Sequence, residues 1–181
     1  ISSQYHNALT NYGFAQVDIG KAMTTFSETR SALRAVIGYD DESEINSEKK
    51  KYETKKKAFE GFMQDIESKM MTKAGKEAYQ QAESALNGYW TKADAILQQG
   101  STTDKIASSA AQHKEIDELG PMYDEIYASL KNIMDIKVAK GNSVQGTLNV
   151  VKYILIILTV LIIVFSVYMS THLGRRIADN I

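Results

Sequence analysis

The sequence predicts an all-α fold, an antiparallel up-down-up-down four-helix bundle whose fourth helix continues into a transmembrane helix. Three observations predict it: apolar residues recur every seven positions, the 181 residues include one proline, and residues 153–169 carry no charge. A seven-residue apolar repeat is typical of helices that pack side by side. We therefore expect a four-helix bundle over residues 1–149, a transmembrane helix over 150–170 and the start of a further segment over 171–181.

The first predicted helix contains two columns of residues spaced by seven, which together form a seam. The columns are Ile1, Ala8, Ala15, Ala22, Thr29, Val36 and Tyr5, Tyr12, Ile19, Phe26, Leu33. Gly38 is suited to end this helix, because glycine is the preferred residue just past a helix C-terminus. The polar residues 39–46 predict a loop that includes the N-cap of the next helix.

Three more helices follow from the same pattern. The second carries Ile45, Tyr52, Phe59, Met63, Ile66 and Met70, and the pattern breaks near Thr72. The third carries Ala78, Ala82, Ala85, Tyr89, Ala93 and Ile96 and ends at Gly100, and the fourth carries Leu119, Tyr123, Ile126, Leu130 and Ile133. Gly120-Pro121 predicts a kink, because proline removes a backbone hydrogen bond and clashes with the preceding turn. Short connections place the loops 39–46 and 100–103 together at the tip.

The segment from Tyr153 to Met169 is long and apolar enough to be a membrane span. A hydrocarbon core of ~30 Å needs about 20 helical residues; the alternative is a buried core helix. Arg175 and Arg176 follow the span and Lys152 precedes it, so the positive-inside rule places the C-terminus in the cytoplasm and residues 1–149 outside the inner (plasma) membrane. We then expect a first membrane helix or signal ahead of Ile1 and further sequence after Ile181.

Composition excludes several classes of function. The chain has no cysteine, so it forms no disulfide, thiol nucleophile or Cys-type zinc site. A formal net charge of −1 argues against a nucleic-acid partner. The histidines, His6, His113 and His172, are too far apart for metal-ligand or triad spacing. We therefore expect no enzyme activity, no metal and no cofactor.

The outer end of the first helix holds the candidate ligand site. Arg34 continues a column of small residues, Gly13, Gly20 and Ser27, that would let another helix approach closely, so we expect a homodimer contact there. Guanidinium groups near such a contact need an anionic partner, and a carboxylate is the natural one. Arg30, Arg34, Met122, Tyr123 and Tyr127 fall at similar heights in the bundle, which predicts a pocket for a small-molecule ligand, possibly a carboxylate.

The same residues also have a purely structural interpretation. Arg30 and Arg34 could pair with Glu28, Asp40, Asp41 or an acidic residue of a neighbouring helix. The tyrosines could belong to the core, and Trp90 is expected to pack rather than to bind a ligand. Both interpretations remain open from the sequence.

The architecture and the segments ETRSALRAVI, GYWTKADAIL and GPMYDEIYASL resemble the ligand-binding region of methyl-accepting chemotaxis proteins, and GRRIADNI resembles the start of a HAMP domain. The resemblance implies a homodimeric chemoreceptor with cytoplasmic signalling partners. In the amino-acid receptors of that family, first-helix arginines at the dimer interface hold the ligand carboxylate. Arg30 and Arg34 lie in the matching region, but Gly38 stands one turn beyond Arg34 where another arginine would be, and other members sense different organic acids or act through binding proteins.

Two other functions remain compatible with this sequence. A sensor histidine kinase or cyclase could use the same bundle and HAMP start. A structural membrane-anchored bundle would need no ligand, and its arginines would be ordinary ion pairs.

Overall fold

The computed structural model describes residues 6, 10 and 13–178, and it is helical. The helices are α1 (Phe14–Gly38), α2 (Glu42–Ser68), α3 (Lys73–Gly100), α4 (Lys105–Lys114) and α5 (Gly120–Ala178), with a π-helical turn over Glu115–Leu119 between the last two. These residues contain no strand. Helix α4, the π-helical turn and α5 together form the fourth member of the bundle, so the predicted all-α four-helix fold is confirmed.

The predicted seams form the core of the bundle. From Ala15 onward, every residue of the two columns in α1 is buried, as are the five seam residues within α2 and Met70, which lies just after its end. The apolar faces of α3 and of α5 up to Ile133 complete this core. The earlier column residues, Ile1, Tyr5, Ala8 and Tyr12, lie outside the described part of the chain.

The connection after α1 is shorter than the loop predicted over residues 39–46. Helix α1 ends at Gly38, as expected, but α2 already begins at Glu42. The side chain of Asp41 accepts a hydrogen bond from the backbone N–H of Glu44 at 3.1 Å, which caps the helix. Glu42 and Glu44 in the first turn favour this early start, because acidic groups stabilise the positive end of the helix dipole.

At the tip, α1 and α3 pack so closely that glycine is required. A Cβ atom on Gly100 would lie 2.4 Å from Cγ2 of Ile37 and 2.8 Å from Cβ of Ala111. The carbonyl of Ile37, in the last turn of α1, accepts hydrogen bonds from Ser108 Oγ and from Gln112 Nε2, at 2.5 and 2.7 Å. Helix α4 therefore satisfies a carbonyl that would otherwise lack an intrahelical partner.

A π-helical turn over Glu115–Leu119 directly precedes Gly120-Pro121, and the kink predicted at these two residues stays a prediction. The backbone N–H of Gly120 donates to the carbonyl of Glu115, a five-residue spacing instead of the usual four. A π-helical turn inserts one extra residue into a helix and is frequent at functional sites.

The four helices are not equally close to one another. Helix α2 packs mainly against α1, whereas α3 packs mainly against α5, and the backbones of α2 and α3 approach each other less. A groove therefore runs between α2 and α3.

Helix α5 continues without a break from the bundle into the apolar segment. Between residues 13 and 168, where side chains are described, no residue after Lys137 is buried, and the apolar side chains from Tyr153 to Tyr168 are exposed. Among the described residues, one helix is long and apolar enough to cross a membrane, and its apolar window is 0% buried. Within the described residues this segment is not packed as a buried core helix, and its role as a membrane span stays a prediction. The predicted segment 171–181 lies partly outside the described residues.

Candidate functional site

Arg30 and Arg34 of α1 bind one carboxylate, that of Glu115 in the π-helical turn. Arg30 Nε lies 2.7 Å from Glu115 Oε1, and Arg34 Nε lies 2.9 Å from Glu115 Oε2. The side chain of Glu115 is only 2% exposed, that of Arg30 is 14% exposed and that of Arg34 is 53% exposed. A buried carboxylate is stable only when it is paired and hydrogen-bonded, and the two guanidinium groups supply this pairing.

The ring of Tyr123, in α5, packs against the guanidinium group of Arg30. The guanidinium carbon of Arg30 lies 4.4 Å from the centre of the Tyr123 ring, a cation–π contact. The hydroxyls of Tyr123 and Ser27 are 2.6 Å apart and share a hydrogen bond. Tyr123 also stacks on Phe26 and on Tyr127, with ring centroids 5.0 and 5.8 Å apart. The Tyr123 ring therefore restricts the position of the Arg30 guanidinium, and its stacking on Phe26 links this site to the aromatic core.

The structure brings four of the five predicted site residues together. Arg30, Arg34, Tyr123 and Tyr127 surround Glu115 or stack on one another, and Tyr127 is partly exposed. Met122 instead lies against α3, where its Cε is 3.4 Å from the position that a Cβ on Gly88 would take. Met122 therefore packs between α5 and α3 and does not line the arginine cluster, which consists of Arg30, Arg34 and Glu115.

Glu115 is the residue that sequence reasoning missed. It lies four positions before Leu119 and eight before Tyr123, so it continues the inward-facing column of the fourth helix. A lone acidic residue on an apolar helix face was the available signal, since such a group must have a partner.

The acidic residues considered as structural partners are engaged elsewhere. Glu28 binds Lys55 of α2 at 2.7 Å, Asp40 lies 3.8 Å from Lys105, and Asp41 caps α2. An acidic residue of a neighbouring helix does pair with both arginines, and that residue is Glu115. Whether an external ligand can replace it stays a prediction.

The column of small residues assigned to a dimer contact faces α5 of the same chain. A Cβ on Gly20 would lie 4.0 Å from Met134 Cε, Ser27 bonds Tyr123, and Arg34 binds Glu115. None of these residues is fully buried. The small side chains therefore allow α5 to approach α1, and a homodimer stays a prediction.

A second aromatic group lies directly under the arginine cluster. Tyr89 of α3 is 1% exposed, and burial is the main cause that raises the pKa of its hydroxyl. Trp90 contacts Phe26, Tyr52, Phe59 and Tyr89 with its edges and faces, so it packs as expected. Within the described residues, no group of three His, Cys, Asp or Glu side chains is placed to hold a metal ion.

The comparison with known families agrees with this arrangement. The family model described as a four helix bundle sensory module for signal transduction matches residues 15–150. The chain belongs to this family. Searches of curated proteins and of solved structures found no significant match.

Membership confirms the resemblance to the sensory modules of methyl-accepting chemotaxis proteins. The match covers all four members of the bundle and ends just before the apolar residues that follow Lys152. This sensory module therefore places Arg30, Arg34 and Glu115 across the contact between its first and its fourth helical members, the latter being the one that continues into the apolar segment.

Proposed function

We propose that this sensory module is the extracytoplasmic part of a homodimeric transmembrane chemoreceptor that senses a small carboxylate. The observation that carries the proposal is the 59-residue helix α5, which runs unbroken from the arginine cluster through the apolar segment. A continuous helix transmits a displacement along its length. The proposal includes a plasma-membrane location with residues 1–149 outside, cytoplasmic signalling partners, a HAMP domain beginning near Gly174, and no enzyme activity or cofactor.

The proposed signal is an exchange of carboxylates at the arginines. Glu115 pairs with Arg30 and Arg34, and more than half of the Arg34 side chain is exposed. A ligand carboxylate that binds the guanidinium groups weakens the hold of α1 on the π-helical turn. A ligand shifts the equilibrium between two helix arrangements only through its different affinity for them. Displacements of ~1–2 Å are usual for packed helices.

Cysteine labelling tests the topology, because the chain has no cysteine of its own. We would place a single cysteine by Thr103→Cys in the tip loop or by Asp179→Cys after the apolar segment. A membrane-impermeant maleimide applied to intact cells should label the first variant and spare the second until the cells are opened. Protection of the Thr103→Cys variant in intact cells contradicts the receptor topology.

A thermal-shift panel tests the carboxylate site on the chain in lipid nanodiscs. Acetate, succinate, benzoate and aspartate are the probes, and a specific ligand raises the melting temperature. Arg30→Ala should abolish that rise, and Glu115→Gln should tighten binding, because the internal competitor loses its charge. Lys92→Ala, which removes an exposed lysine paired with Glu118, is the control and should leave binding unchanged. Equal affinity in wild type and Arg30→Ala removes the site.

A second candidate function is a structural membrane-anchored bundle without a ligand. The observation that favours it is that Glu115 already pairs with both arginines. In that case no probe raises the melting temperature, while Glu115→Gln lowers it. A kinase or cyclase output would be decided by the sequence that follows the HAMP start.

A further inference from the structure

Lys137 is the last buried residue of α5 among those whose side chains the structure describes. Its side chain is 3% exposed and donates a hydrogen bond to the carbonyl of Lys69, which lies in the connection between α2 and α3. Lys69 in turn forms an ion pair with Asp18 of α1. Lys137 therefore ties α5 to the α2–α3 connection directly and to α1 through Lys69, at the end of the bundle nearest the apolar segment.

The next twelve residues of α5, 138–149, include no buried side chain. Gly141, Val144 and Leu148 are half-buried on one face of the helix, and the other nine residues are exposed. Helices in proteins are stabilised mainly by burial of an apolar face, and less by the backbone itself. Residues 138–149 therefore receive little of the stabilisation that the buried side chains up to Ile133 give to the upper part of α5.

The composition of the same stretch weakens the helix further. Residues 141–149 read GNSVQGTLN, so seven of the nine are glycine, asparagine, serine, threonine or valine. These residue types favour a helix less than alanine or leucine does, and glycine is the least favourable after proline. Packing does not require Gly146, because nothing lies within 4 Å of the position that its Cβ would take. This glycine weakens the helix without making room for a neighbour.

We infer that residues 141–149 form a flexible joint in α5, which transiently loses its helical hydrogen bonds while the bundle and the apolar segment on either side stay helical. Lys137 is the fixed end of the joint on the bundle side. Local opening of this kind occurs where a helix has few buried contacts and an exposed backbone. A displacement of α5 passes the joint only while the joint is helical, so its opening limits how much of the displacement reaches the apolar segment. This consequence rests on the proposed function, whereas the joint itself does not.

Amide hydrogen exchange, followed by mass spectrometry, tests the joint on the whole chain in lipid nanodiscs. Peptides that cover residues 141–149 should exchange at least about tenfold faster than peptides that cover residues 126–137. Trypsin provides a second readout, because Lys140 is exposed and directly precedes the joint. Brief digestion should cut after Lys140 earlier than after Lys92, an exposed lysine within the packed helix α3. No ligand is present, so these measurements do not depend on the outcome of the carboxylate panel.

Alanine variants test whether weak helix propensity causes the opening. Gly146→Ala should slow exchange across residues 141–149 about fivefold, because alanine is the better helix former and finds room there. Asn142→Ala combined with Gly146→Ala should slow it by more than about tenfold. Gly61→Ala in α2, also at an exposed glycine with an open Cβ position, is the matched control and should leave exchange across the joint unchanged.

Three results overturn the inference. Exchange across residues 141–149 that is as slow as across residues 126–137 excludes a flexible joint. Wild-type exchange in both variants that carry Gly146→Ala shows that helix propensity does not control the opening. Slowing by Gly61→Ala that equals the slowing by Gly146→Ala indicates a general gain in stability instead of a local effect.

Lys137→Met tests the fixed end of the joint. Without the hydrogen bond to the carbonyl of Lys69, rapid exchange should extend toward Ile133, the preceding buried residue of α5. The exposed Lys131→Met is the control and should leave the upper limit of rapid exchange where it is in the wild type. An unchanged limit in Lys137→Met contradicts the assignment of Lys137 as the fixed end.

Discussion

Arg30 of α1 holds Glu115 of the π-helical turn at 2.7 Å, although 85 residues separate them in the sequence. This contact joins the first helix to the one that continues through the apolar segment. Arg34 binds the other oxygen of the same carboxylate, so a single buried charge is shared by two cations. The charged part of the contact between these two members of the bundle therefore depends on Glu115, and it is the first point to test.

Glu115→Gln should lower the free energy of unfolding by about 2 kcal/mol. Removing one partner of a buried ion pair leaves the other charge uncompensated, and the exposure of Arg34 moderates the cost. Urea unfolding of the chain in detergent, followed by circular dichroism, measures the change. Glu118→Gln in the same turn is the control: Glu118 is exposed and pairs with Lys92, which lowers its pKa, so stability should hardly change. If Glu115→Gln is as stable as Glu118→Gln, then Glu115 does not stabilise the folded state.

Gly100→Ala should destabilise the tip by about 2 kcal/mol, because the added methyl group has no room beside Ile37. Gly61→Ala in α2 is the matched control, since nothing lies within 4 Å of its Cβ position. Alanine is the better helix former there, so that variant should gain about 0.5–1 kcal/mol. Melting temperatures of the two variants should move in opposite directions; a shared direction would show that the tip can relax.

Tyr52→Phe should cost about 1 kcal/mol, the usual contribution of one hydrogen bond. The Tyr52 hydroxyl donates to Asp94 Oδ1 at 2.9 Å, while Lys56 keeps that carboxylate paired in the variant. Exposed Tyr39→Phe is the control and should leave stability unchanged.

The same tyrosine makes stability depend on alkaline pH. Burial and Asp94 raise the pKa of Tyr52 above its ordinary value of about 10. The folded state then keeps a proton that the unfolded state loses, so stability is fully present below about pH 10 and falls as pH rises further. Denaturation curves between about pH 8 and 11 should fall less steeply for Tyr52→Phe than for the wild type. Parallel curves would contradict this linkage.

Lys137 should produce the opposite dependence. It is buried on α5, donates to the carbonyl of Lys69, and has its pKa lowered by burial and by the charge of Lys69. The unfolded chain therefore binds a proton more readily, so stability rises with pH up to the ordinary lysine pKa of about 10.4. The stability of the wild type minus that of Lys137→Met should increase from about pH 7 to 10, whereas the corresponding difference for exposed Lys131→Met should stay flat. A flat Lys137 difference refutes the assignment.

The helices themselves could be predicted because their signals are local and repetitive. Phe26 and Leu33, or Tyr52 and Phe59, lie seven positions apart on one helix face, and burying that face drives helices together. The apolar segment from Tyr153 could be predicted equally well, since length and composition are enough to identify a candidate membrane span. The boundary of α2 was misjudged by several residues, because the capping hydrogen bond of Asp41 could not be distinguished from a longer polar loop.

The site could be predicted only in part. The heights of Arg30, Arg34, Tyr123 and Tyr127 follow from counting residues along antiparallel helices, and these four do meet. The pairing of Glu115 with both arginines could not be found this way, because counting heights does not show which side chains of facing helices come within hydrogen-bond distance. Counting heights also does not show the direction of Met122, whose Cε lies beside Gly88 of α3.

The amino-acid sequence by itself determined that this protein is a bundle of long helices with one lipid-compatible segment, since helix periodicity and segment length are properties of the chain alone. Only the tertiary structure decided which charges are neutralised internally and where the helices separate. Glu115 between Arg30 and Arg34, and the groove between α2 and α3, arise from distances between helices. Those distances depend on the packing of side chains that are remote in the sequence.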